Sequence, residues 1–298
     1  MKSILNNGYI LMVVTAIAWS GNSIIGRGLH DVAPSIGLAF WRWMGTLPIF
    51  LILCWPYLKR DWPIILHHWK IVLMLAVLSV TIYNAFIYQG LTTTTAINSF
   101  LLNTSRPMII VLISFILFKD RITPLQGVGF VMAFCGTLTI IARGDLEVLA
   151  ALNLNKGDFW ILSATMAWAL YTVLLGNKPK VHATSLLFAT VLFGQVLLTP
   201  FYIWETVTFK PMPITLETIG GIAYLAVISS VVAYLAYNRT VELLGANKAG
   251  LTSYLLPIFG SLFAVILLGE SIRLYHVVAF ALIIGGVSLA ARTKRRTI

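Results

Sequence analysis

Two arginines lie inside long apolar runs of this sequence. Arg106 stands near the middle of one run, and Arg42 lies in the outer half of another. A charge at membrane depth costs about 2.5–3.5 kcal/mol or more, so such residues usually face a helix-bundle interior or a wet cavity. One chemistry open to them is bidentate binding of an anionic group, above all a carboxylate. The alternative is structural: the guanidinium ties down helix-end carbonyls or reaches the membrane surface.

Aromatic and polar residues recur at helical spacing in two other runs. Trp19 and Asn22 share one face of the first run, and Trp168 and Tyr171 share one face of the sixth. The two tryptophans occupy matching places in the two halves of the chain, 149 positions apart. A pair of indoles lining a cavity could stack on an apolar or cationic substrate. Core filling or anchoring at the membrane interface is the alternative.

Further polar and aromatic side chains lie in the third, fourth, eighth and ninth runs. Polar side chains in lipid seek one another, so each is either interhelical glue, worth about 0.6–2 kcal/mol, or part of a substrate site. The complete set of predicted cavity residues is Trp19, Asn22, Arg42, Tyr83, Tyr88, Asn103, Arg106, Trp168, Tyr171, Tyr234 and Tyr254.

Two prolines fall inside apolar runs, Pro107 in the fourth and Pro257 in the ninth. Proline in a helix removes a backbone hydrogen bond and kinks the helix. Their matching positions in the two halves predict two hinges, one for each gate. A static kink is the alternative, and it would still shape the cavity.

Ten apolar runs position these residues. The chain has 298 residues, of which 59% are hydrophobic and 10% charged, with a mean hydropathy of +0.89, and this composition excludes a soluble globular domain. Each run is close to the roughly 20 residues that cross a bilayer, and helices satisfy their own backbone there. The predicted spans are residues 9–25, 35–56, 70–90, 95–118, 124–142, 158–176, 184–204, 218–237, 247–268 and 275–291.

The stretch from Ala96 to Gly136 occurs a second time, from Ala246 to Gly286. A shift of 150 residues aligns a proline, an acidic residue and a closing glycine without a gap. Internal duplication of a helical membrane unit predicts two five-helix repeats. The repeats cover residues 1–142 and 158–291, with a connector at 143–157 and a basic cytoplasmic tail at 292–298.

The formal net charge of +11 lies mostly in turns, so it indicates membrane topology and not nucleic-acid binding. Of the 21 Lys and Arg residues, 14 fall on one side, five on the other and two inside spans. The richer side is predicted to be cytoplasmic, with both termini there, in a cell (inner) membrane. Five spans per repeat is an odd number, so the second repeat is inverted relative to the first around a central cavity, as alternating access requires.

Motifs for other functions are missing from the sequence. It contains no paired intramembrane aspartates, zinc-spaced histidines, nucleophile elbow or ATP-binding loop, so we expect no enzyme, metal, cofactor or ATP-driven pump. The sequence also lacks a filter-like loop of the kind that would indicate a channel. All ten carboxylates lie at span ends or in turns, which disfavours a proton relay, although Glu242 and Glu270 could titrate at the rims.

Taken together, these features resemble the drug/metabolite transporter superfamily, and specifically its EamA family. The resemblance covers nearly the whole chain. It rests on the duplication, on Trp19-Ser20-Gly21-Asn22, on Phe40-Trp41-Arg42-Trp43, on the Pro107 and Pro257 helices and on Leu268-Gly269-Glu270. It implies that helices 1–4 and 6–9 surround the cavity, that helices 5 and 10 are peripheral, and that pairs 3–4 and 8–9 move as gates.

The sequence therefore predicts a secondary carrier that exports small metabolites, such as amino acids or amphipathic compounds, by alternating access. Export is implied by the resemblance, and the alternative is a facilitator or uptake carrier for a small polar or cationic solute. Its predicted partners are a small-molecule substrate and the lipid bilayer. Small faces in spans five and ten, including Gly129, Ala133 and Gly285, predict close helix packing and are where a homodimer would form.

Overall fold

The computed structural model describes residues 6–118, 124–145, 147 and 155–291. These residues fold into helices joined by short turns, as predicted. The predicted tail and most of the predicted connector lie outside the described residues, and so does Asp120. The helices are α1 (Gly8–Gly28), α2 (Ser35–His67), α3 (Trp69–Leu91), α4 (Ala96–Leu117), α5 (Pro124–Ile141), α6 (Lys156–Asn177), α7 (Ala183–Thr208), α8 (Leu216–Leu244), α9 (Thr252–Leu268) and α10 (Leu274–Ala291).

Seven of these helices, α1–α4 and α6–α8, are long and apolar enough to cross a membrane. The apolar parts of the other three are shorter within the described residues, at Gly127–Ile140, Thr252–Leu268 and Leu274–Gly286. Each predicted span overlaps one of these helices, and the ninth span also overlaps a four-residue helix at Ala246–Ala249. These apolar helices support a multi-pass membrane protein.

Helix α2 runs past the predicted end of its span. We expected it to end at residue 56, ahead of the charged stretch that follows, but the helix continues to His67. The side chain of Asp61 is buried and accepts a hydrogen bond of 2.9 Å from the backbone N–H of His182, next to the start of α7. Its other oxygen accepts from Nε of the neighbouring Arg60 at 2.9 Å, so the buried carboxylate of this charged stretch has two partners.

The two repeats pack against each other along their inner helices. Helix α1 contacts α8 and α9, and α2 lies along α7. Helices α3 and α4 both contact α6. The core of the molecule therefore lies between the repeats, and the residues that face it come from both halves of the chain.

Helices α5 and α10 approach each other closely at glycines. A Cβ added to Gly286 would lie 2.4 Å from the carbonyl oxygen of Gly129, and one added to Gly136 would lie 2.8 Å from that of Ala279. Close packing of α5 and α10 was predicted, and it involves Gly129 and Ala133 of α5 as expected, but α10 contributes Gly286 and Ala279 and not the predicted Gly285. The contact occurs inside one chain. A homodimer through these two helices stays a prediction. Because α10 already covers this face of α5, such a dimer would have to use the outward surfaces of the helices.

Helices α3 and α8 each contain a π-helical segment, at Val77–Ile82 and Leu225–Val232. A π-helical segment breaks the regular backbone ladder and is frequent at functional sites. A shift of 150 residues places Ser79 on Ser229. The two interruptions therefore fall at matching places in the two repeats.

Helix α4 is interrupted by a turn at Thr104 and Ser105 and resumes at Arg106. Pro107 thus lies in the first turn of the second segment. A backbone N–H at that position has no intrahelical partner, so this proline removes no hydrogen bond from the helix.

Pro257 has a different setting, although it matches Pro107 in the duplication. It lies inside the continuous helix Thr252–Leu268, where proline removes an internal hydrogen bond. The turn in this part of the chain comes earlier, at Gly250 and Leu251. The two prolines therefore differ in their effect on the backbone.

Candidate functional site

Trp168 of α6 is the centre of an aromatic cluster between the two repeats. Its ring centroid lies 5.0 Å from that of Trp19 in α1, in an edge-on arrangement, and 4.6 Å from that of Tyr83 in α3. We call Trp168 and the five rings around it the central cluster. Its other members, with their centroid distances from Trp168, are Tyr171 (4.9 Å), Tyr234 (5.2 Å) and Tyr237 (5.5 Å).

Arg42 of α2 lies beside the central cluster and is buried, with 1% of its surface exposed. All three of its guanidinium nitrogens donate hydrogen bonds. The acceptors are Ser230 Oγ (2.7 Å), Asn22 Oδ1 (2.7 Å), Asn84 Oδ1 (2.7 Å), Tyr88 Oη (3.0 Å) and the carbonyl oxygen of Ser229 (3.0 Å). These acceptors belong to α1, α3 and α8. The geometry favours the structural interpretation, in which Arg42 ties three helices to α2.

Arg106 is also fully buried, but its donors are largely unused. Its Nη2 donates to Asn103 Oδ1 and, at 3.5 Å, to the Tyr83 hydroxyl, whereas its Nε and Nη1 have no hydrogen-bond partner. Its guanidinium carbon lies 5.7 Å from the Trp168 ring centre and 6.0 Å from that of Trp19. The ion pairs of the described residues do not include it. The structure therefore places a buried cation with unused donors against the central cluster.

Asn103 holds Arg106 from the other side of the interruption in α4. Its Nδ2 donates to the carbonyl oxygen of Ser99 at 2.8 Å, and its Oδ1 also accepts from the Thr165 hydroxyl of α6 at 3.3 Å. The Asn103 side chain thus links both segments of α4 to the second repeat. Both predicted roles, helix adhesion and a place in the site, fit this position.

The two π-helical segments present backbone carbonyls to the centre. The carbonyl oxygen of Ser79 accepts from the Tyr234 hydroxyl at 3.0 Å. The carbonyl oxygen of Ser229 accepts from the Trp19 indole N–H at 3.2 Å. Each carbonyl therefore binds a ring of the opposite repeat. The sequence analysis missed both serines, and their exact 150-residue spacing was the signal that could have found them.

Each repeat also contains a tyrosine–asparagine hydrogen bond between its first and third helices. In the first repeat, the Tyr88 hydroxyl donates to Asn22 Oδ1 at 2.7 Å, and in the second, the Tyr171 hydroxyl donates to Asn238 Oδ1 at 2.9 Å. The duplication aligns Asn22 with Tyr171, at a shift of 149, and Tyr88 with Asn238, at a shift of 150. The bond is retained, but the two residue types have changed places.

The structure brings ten of the eleven predicted cavity residues to this centre, and Tyr254 is the exception. Tyr254 is partly buried, its hydroxyl lacks a hydrogen-bond partner, and no ring contact joins it to the central cluster among the described residues. The missed residues include Trp43 and Tyr237. The rings of Trp168, Tyr171 and Tyr234 are each at most 2% exposed, so they are shielded from solvent by the described residues around them.

Carboxylates cap helix starts at the ends of the α2–α7 pair. At one end, Glu205 of α7 accepts hydrogen bonds from the backbone N–H groups of Ile36 (3.0 Å) and Gly37 (2.6 Å) at the start of α2. At the other end, Asp61 of α2 accepts from the N–H of His182 beside the start of α7. Each helix therefore caps the other, and the pair is fixed at both ends.

Glu270 makes a similar contact between α9 and α4. Its two oxygens accept from the backbone N–H groups of Ala96 (2.8 Å) and Ile97 (3.0 Å). Gly269 has a φ of +66°, a left-handed conformation that glycine adopts readily, and it turns the chain at the end of α9. The Leu268-Gly269-Glu270 sequence thus places a carboxylate on the first turn of α4.

Asp158, at the start of α6, is buried beside the turn between α3 and α4. Its Oδ1 accepts from the Thr94 hydroxyl. Asn98 donates to that hydroxyl at 3.4 Å, and the Asn98 Oδ1 lies 3.1 Å from Nε2 of His276 in α10. These polar groups link α6, α4 and α10 at the end of the bundle that carries Thr94, which we call the Thr94 end.

The sequence matches the model of a family described as the EamA-like transporter family, over residues 6–142 and again over residues 155–292. The match therefore occurs once in each half of the chain.

Individual proteins resemble nearly the same length of chain. An Archaeoglobus fulgidus protein, named an uncharacterized transporter, is 30% identical over 291 residues, which cover 94% of this chain and 96% of that protein. YyaM of Bacillus subtilis (strain 168), also named an uncharacterized transporter, is 30% identical over 223 residues, covering 74% of this chain and 72% of YyaM. A protein crystal structure with 18% identity superposes with a TM-score of 0.66 over 94% of this chain and 95% of the other, which shows a shared fold.

Proposed function

Because the chain belongs to the EamA-like transporter family, we propose that it is a secondary transporter that exports small metabolites, such as amino acids or amphipathic compounds, by alternating access. Relatives named as transporters support the transport role. The observation that carries the mechanism is the buried Arg106 at the interruption of α4. Discontinuous helices that place polar groups at mid-membrane are the usual form of substrate sites in secondary carriers.

The positions of the helix ends support ten membrane crossings in two inverted repeats. Helix α1 begins beside the end of α8, where the Thr240 hydroxyl donates to the carbonyl oxygen of Gly8 at 3.5 Å. At the other end of α1, Arg27 donates to carbonyls of the α3–α4 turn. Helix α6 begins at that turn, with Asp158. The two repeats thus start at opposite ends of the bundle, as an axis in the membrane plane requires.

The charge distribution supports one orientation of this bundle. The end opposite Thr94 carries Lys70, Lys178 and Arg239 in and beside its turns, and the sequence places most other Lys and Arg residues at the same end. By the positive-inside rule this end faces the cytoplasm of a cell (inner) membrane, and both termini lie on that side.

The end contacts suggest which helices move. The α2–α7 pair, capped at both ends by Glu205 and Asp61, is suited to stay fixed. Opening the Thr94 end requires the start of α4 to leave Glu270. Pro257 provides a bend inside α9, the helix from which Glu270 extends. The shielded centre would then open to one side as α4 and α9 separate.

A facilitator or uptake carrier for a cationic solute is the second candidate. The aromatic faces of the central cluster favour it, because rings attract cations. Arg106 opposes it, because a fixed positive charge lies against the Trp168 and Trp19 rings. Transport of amines would decide for this candidate.

The test is transport by the purified full chain in liposomes loaded with amino acids, monocarboxylates, amines and sugars, with and without a pH gradient. We expect protein-dependent efflux of at least one solute class, accelerated when the same solute is present outside. No efflux of any solute by folded protein would contradict the proposal. A requirement for the gradient would direct attention to Glu270 and Glu242.

A matched pair of variants ties any efflux to the central cluster. Trp168→Leu removes the central ring but keeps an apolar side chain, and we expect efflux to fall about tenfold. Trp55→Leu makes the same change at a site that is 69% exposed and should leave efflux unchanged. Equal efflux by both variants would mean that the cluster is not the transport site.

A further inference from the structure

We propose that the central cluster binds an organic monocarboxylate and that Arg106 holds its carboxylate group. This inference rests on the proposed function and adds the chemical class of the substrate. It starts from the difference between two buried arginines. All three nitrogens of the Arg42 guanidinium have acceptors, whereas Nε and Nη1 of Arg106 have none.

Arg106 has no counter-ion among the residues that the structure describes. Its side chain is fully buried, and a buried charge without a partner is strongly unfavourable. Asn103 and Tyr83 contribute oxygen dipoles to it but no negative charge. Buried donors are nearly always paired, so these unused N–H groups require an explanation. A single anionic group that accepts from one of them would also neutralise the site.

The interruption of α4 adds to the preference for an anion. Arg106 is the first residue of the second helical segment of α4. The first backbone N–H groups of a helix lack intrahelical partners and form its positive end, where anions bind readily. The guanidinium and the helix end therefore favour the same sign of charge at one place.

The surrounding rings indicate what the anionic group is attached to. The centres of the Trp19, Tyr83 and Trp168 rings lie 6.0, 5.9 and 5.7 Å from the guanidinium carbon of Arg106. A carboxylate that accepts from Nη1 would place its apolar or aromatic body against these faces. An amine suits the site less well, because the buried carboxylates described above lie at helix ends and Arg106 would repel it.

The test is ligand binding to the purified full chain in detergent micelles, measured by thermal unfolding and by tryptophan fluorescence. The probes are phenylacetate, its neutral amide phenylacetamide, and phenethylamine, which all carry a benzyl group. We expect phenylacetate to raise the unfolding temperature saturably. Its affinity should exceed that of either analogue by about tenfold to a hundredfold, the range for loss of a charge-assisted hydrogen bond.

Three variants separate the charge of Arg106 from its shape. Arg106→Gln removes the charge and should abolish the preference for phenylacetate over phenylacetamide. Arg106→Lys keeps the charge and should retain the preference at weaker affinity. Lys70→Gln removes an exposed cation and should change neither the preference for phenylacetate nor its affinity. If Arg106→Gln does not fold, the wild-type protein and Arg106→Lys still decide the question.

The possible outcomes are distinct. The inference is overturned if phenylacetate fails to bind, if phenylacetamide binds as tightly, or if Arg106→Gln keeps the preference. Counterflow of the same probes in liposomes then tests transport separately. Binding of phenylacetate without its movement would support the carboxylate site and count against the transport function. Efflux of amines with no carboxylate preference would support the transport function and count against the carboxylate site.

Discussion

The carboxylate of Glu270, just beyond the end of α9, accepts a 2.8 Å hydrogen bond from the backbone N–H of Ala96, the first residue of α4. This contact joins the two helices that we propose to separate during transport, and it does so at the Thr94 end. A negative charge at a helix start is stabilising, so the strength of the link depends on the charge of Glu270.

Glu270→Gln should therefore loosen the Thr94 end. A cysteine placed at buried Ser99, with Cys54 and Cys135 changed to alanine, should react about twofold to fivefold faster with a membrane-impermeant maleimide, the range for a charge at a helix end. The labelling rate in liposomes is the measurement. Glu217→Gln changes an exposed carboxylate at the start of α8 and serves as the control. Equal rates in the two variants would show that Glu270 does not hold this end closed.

The two buried arginines should differ in their effect on stability. Arg42→Gln leaves Asn84 Oδ1 without a donor and takes away one of the two donors to Asn22 Oδ1 and to the Ser229 carbonyl, so it should lower the free energy of unfolding by about 2–4 kcal/mol. Arg106→Gln removes an unpaired buried charge and should leave stability unchanged or raise it. Thermal unfolding in micelles compares the two. A similar loss in both variants would make Arg106 a structural residue as well.

The two prolines should differ in their effect on transport. Pro257→Ala restores a backbone hydrogen bond inside α9, stiffens that helix and should slow counterflow by about fivefold. Pro107→Ala lies in a first helical turn, where no bond is restored, and should change the rate by less than about twofold. Initial rates with the same substrate give the comparison. If Pro257→Ala transports at the wild-type rate, its kink is static.

The reciprocal caps of α2 and α7 should contribute independently to stability. Glu205→Ala and Asp61→Ala each remove the acceptor at a helix start and should each cost about 1–2 kcal/mol. The caps lie at opposite ends of the helix pair, so the double variant should lose the sum. Thermal unfolding in micelles measures all three, with exposed Glu217→Ala as the control. A double variant no worse than either single one would show that the two caps act as one unit.

Much of the framework was predictable from local patterns. Helical spacing placed Trp19 and Asn22 on one face, and the duplication paired Trp19 with Trp168. The observed 5.0 Å contact between their rings confirms that they meet. Span positions followed from hydropathy because each helix must present an apolar surface to lipid.

The roles of the individual polar groups were not predictable in the same way. Arg42 and Arg106 look alike in sequence, since each is a lone charge in an apolar run. They differ because the acceptors for Arg42 come from α1, α3 and α8, which are remote along the chain. The π-helical segments gave no compositional signal, since Val77–Ile82 is as apolar as its surroundings. One of the two partners of buried Asp61 lies about 120 residues away, and hydropathy does not record such partners.

The exchanged tyrosine–asparagine bonds determine which pieces of this chain are interchangeable. A hybrid that carried α6 in place of α1 would set Tyr171 against Tyr88, two large rings where one ring and one amide now fit. Grafting α6 and α8 together in place of α1 and α3 would bring Tyr171 with its own partner, Asn238. The first and third helices of each repeat therefore carry a matched pair of residues, and exchanging one helix without the other would break the match.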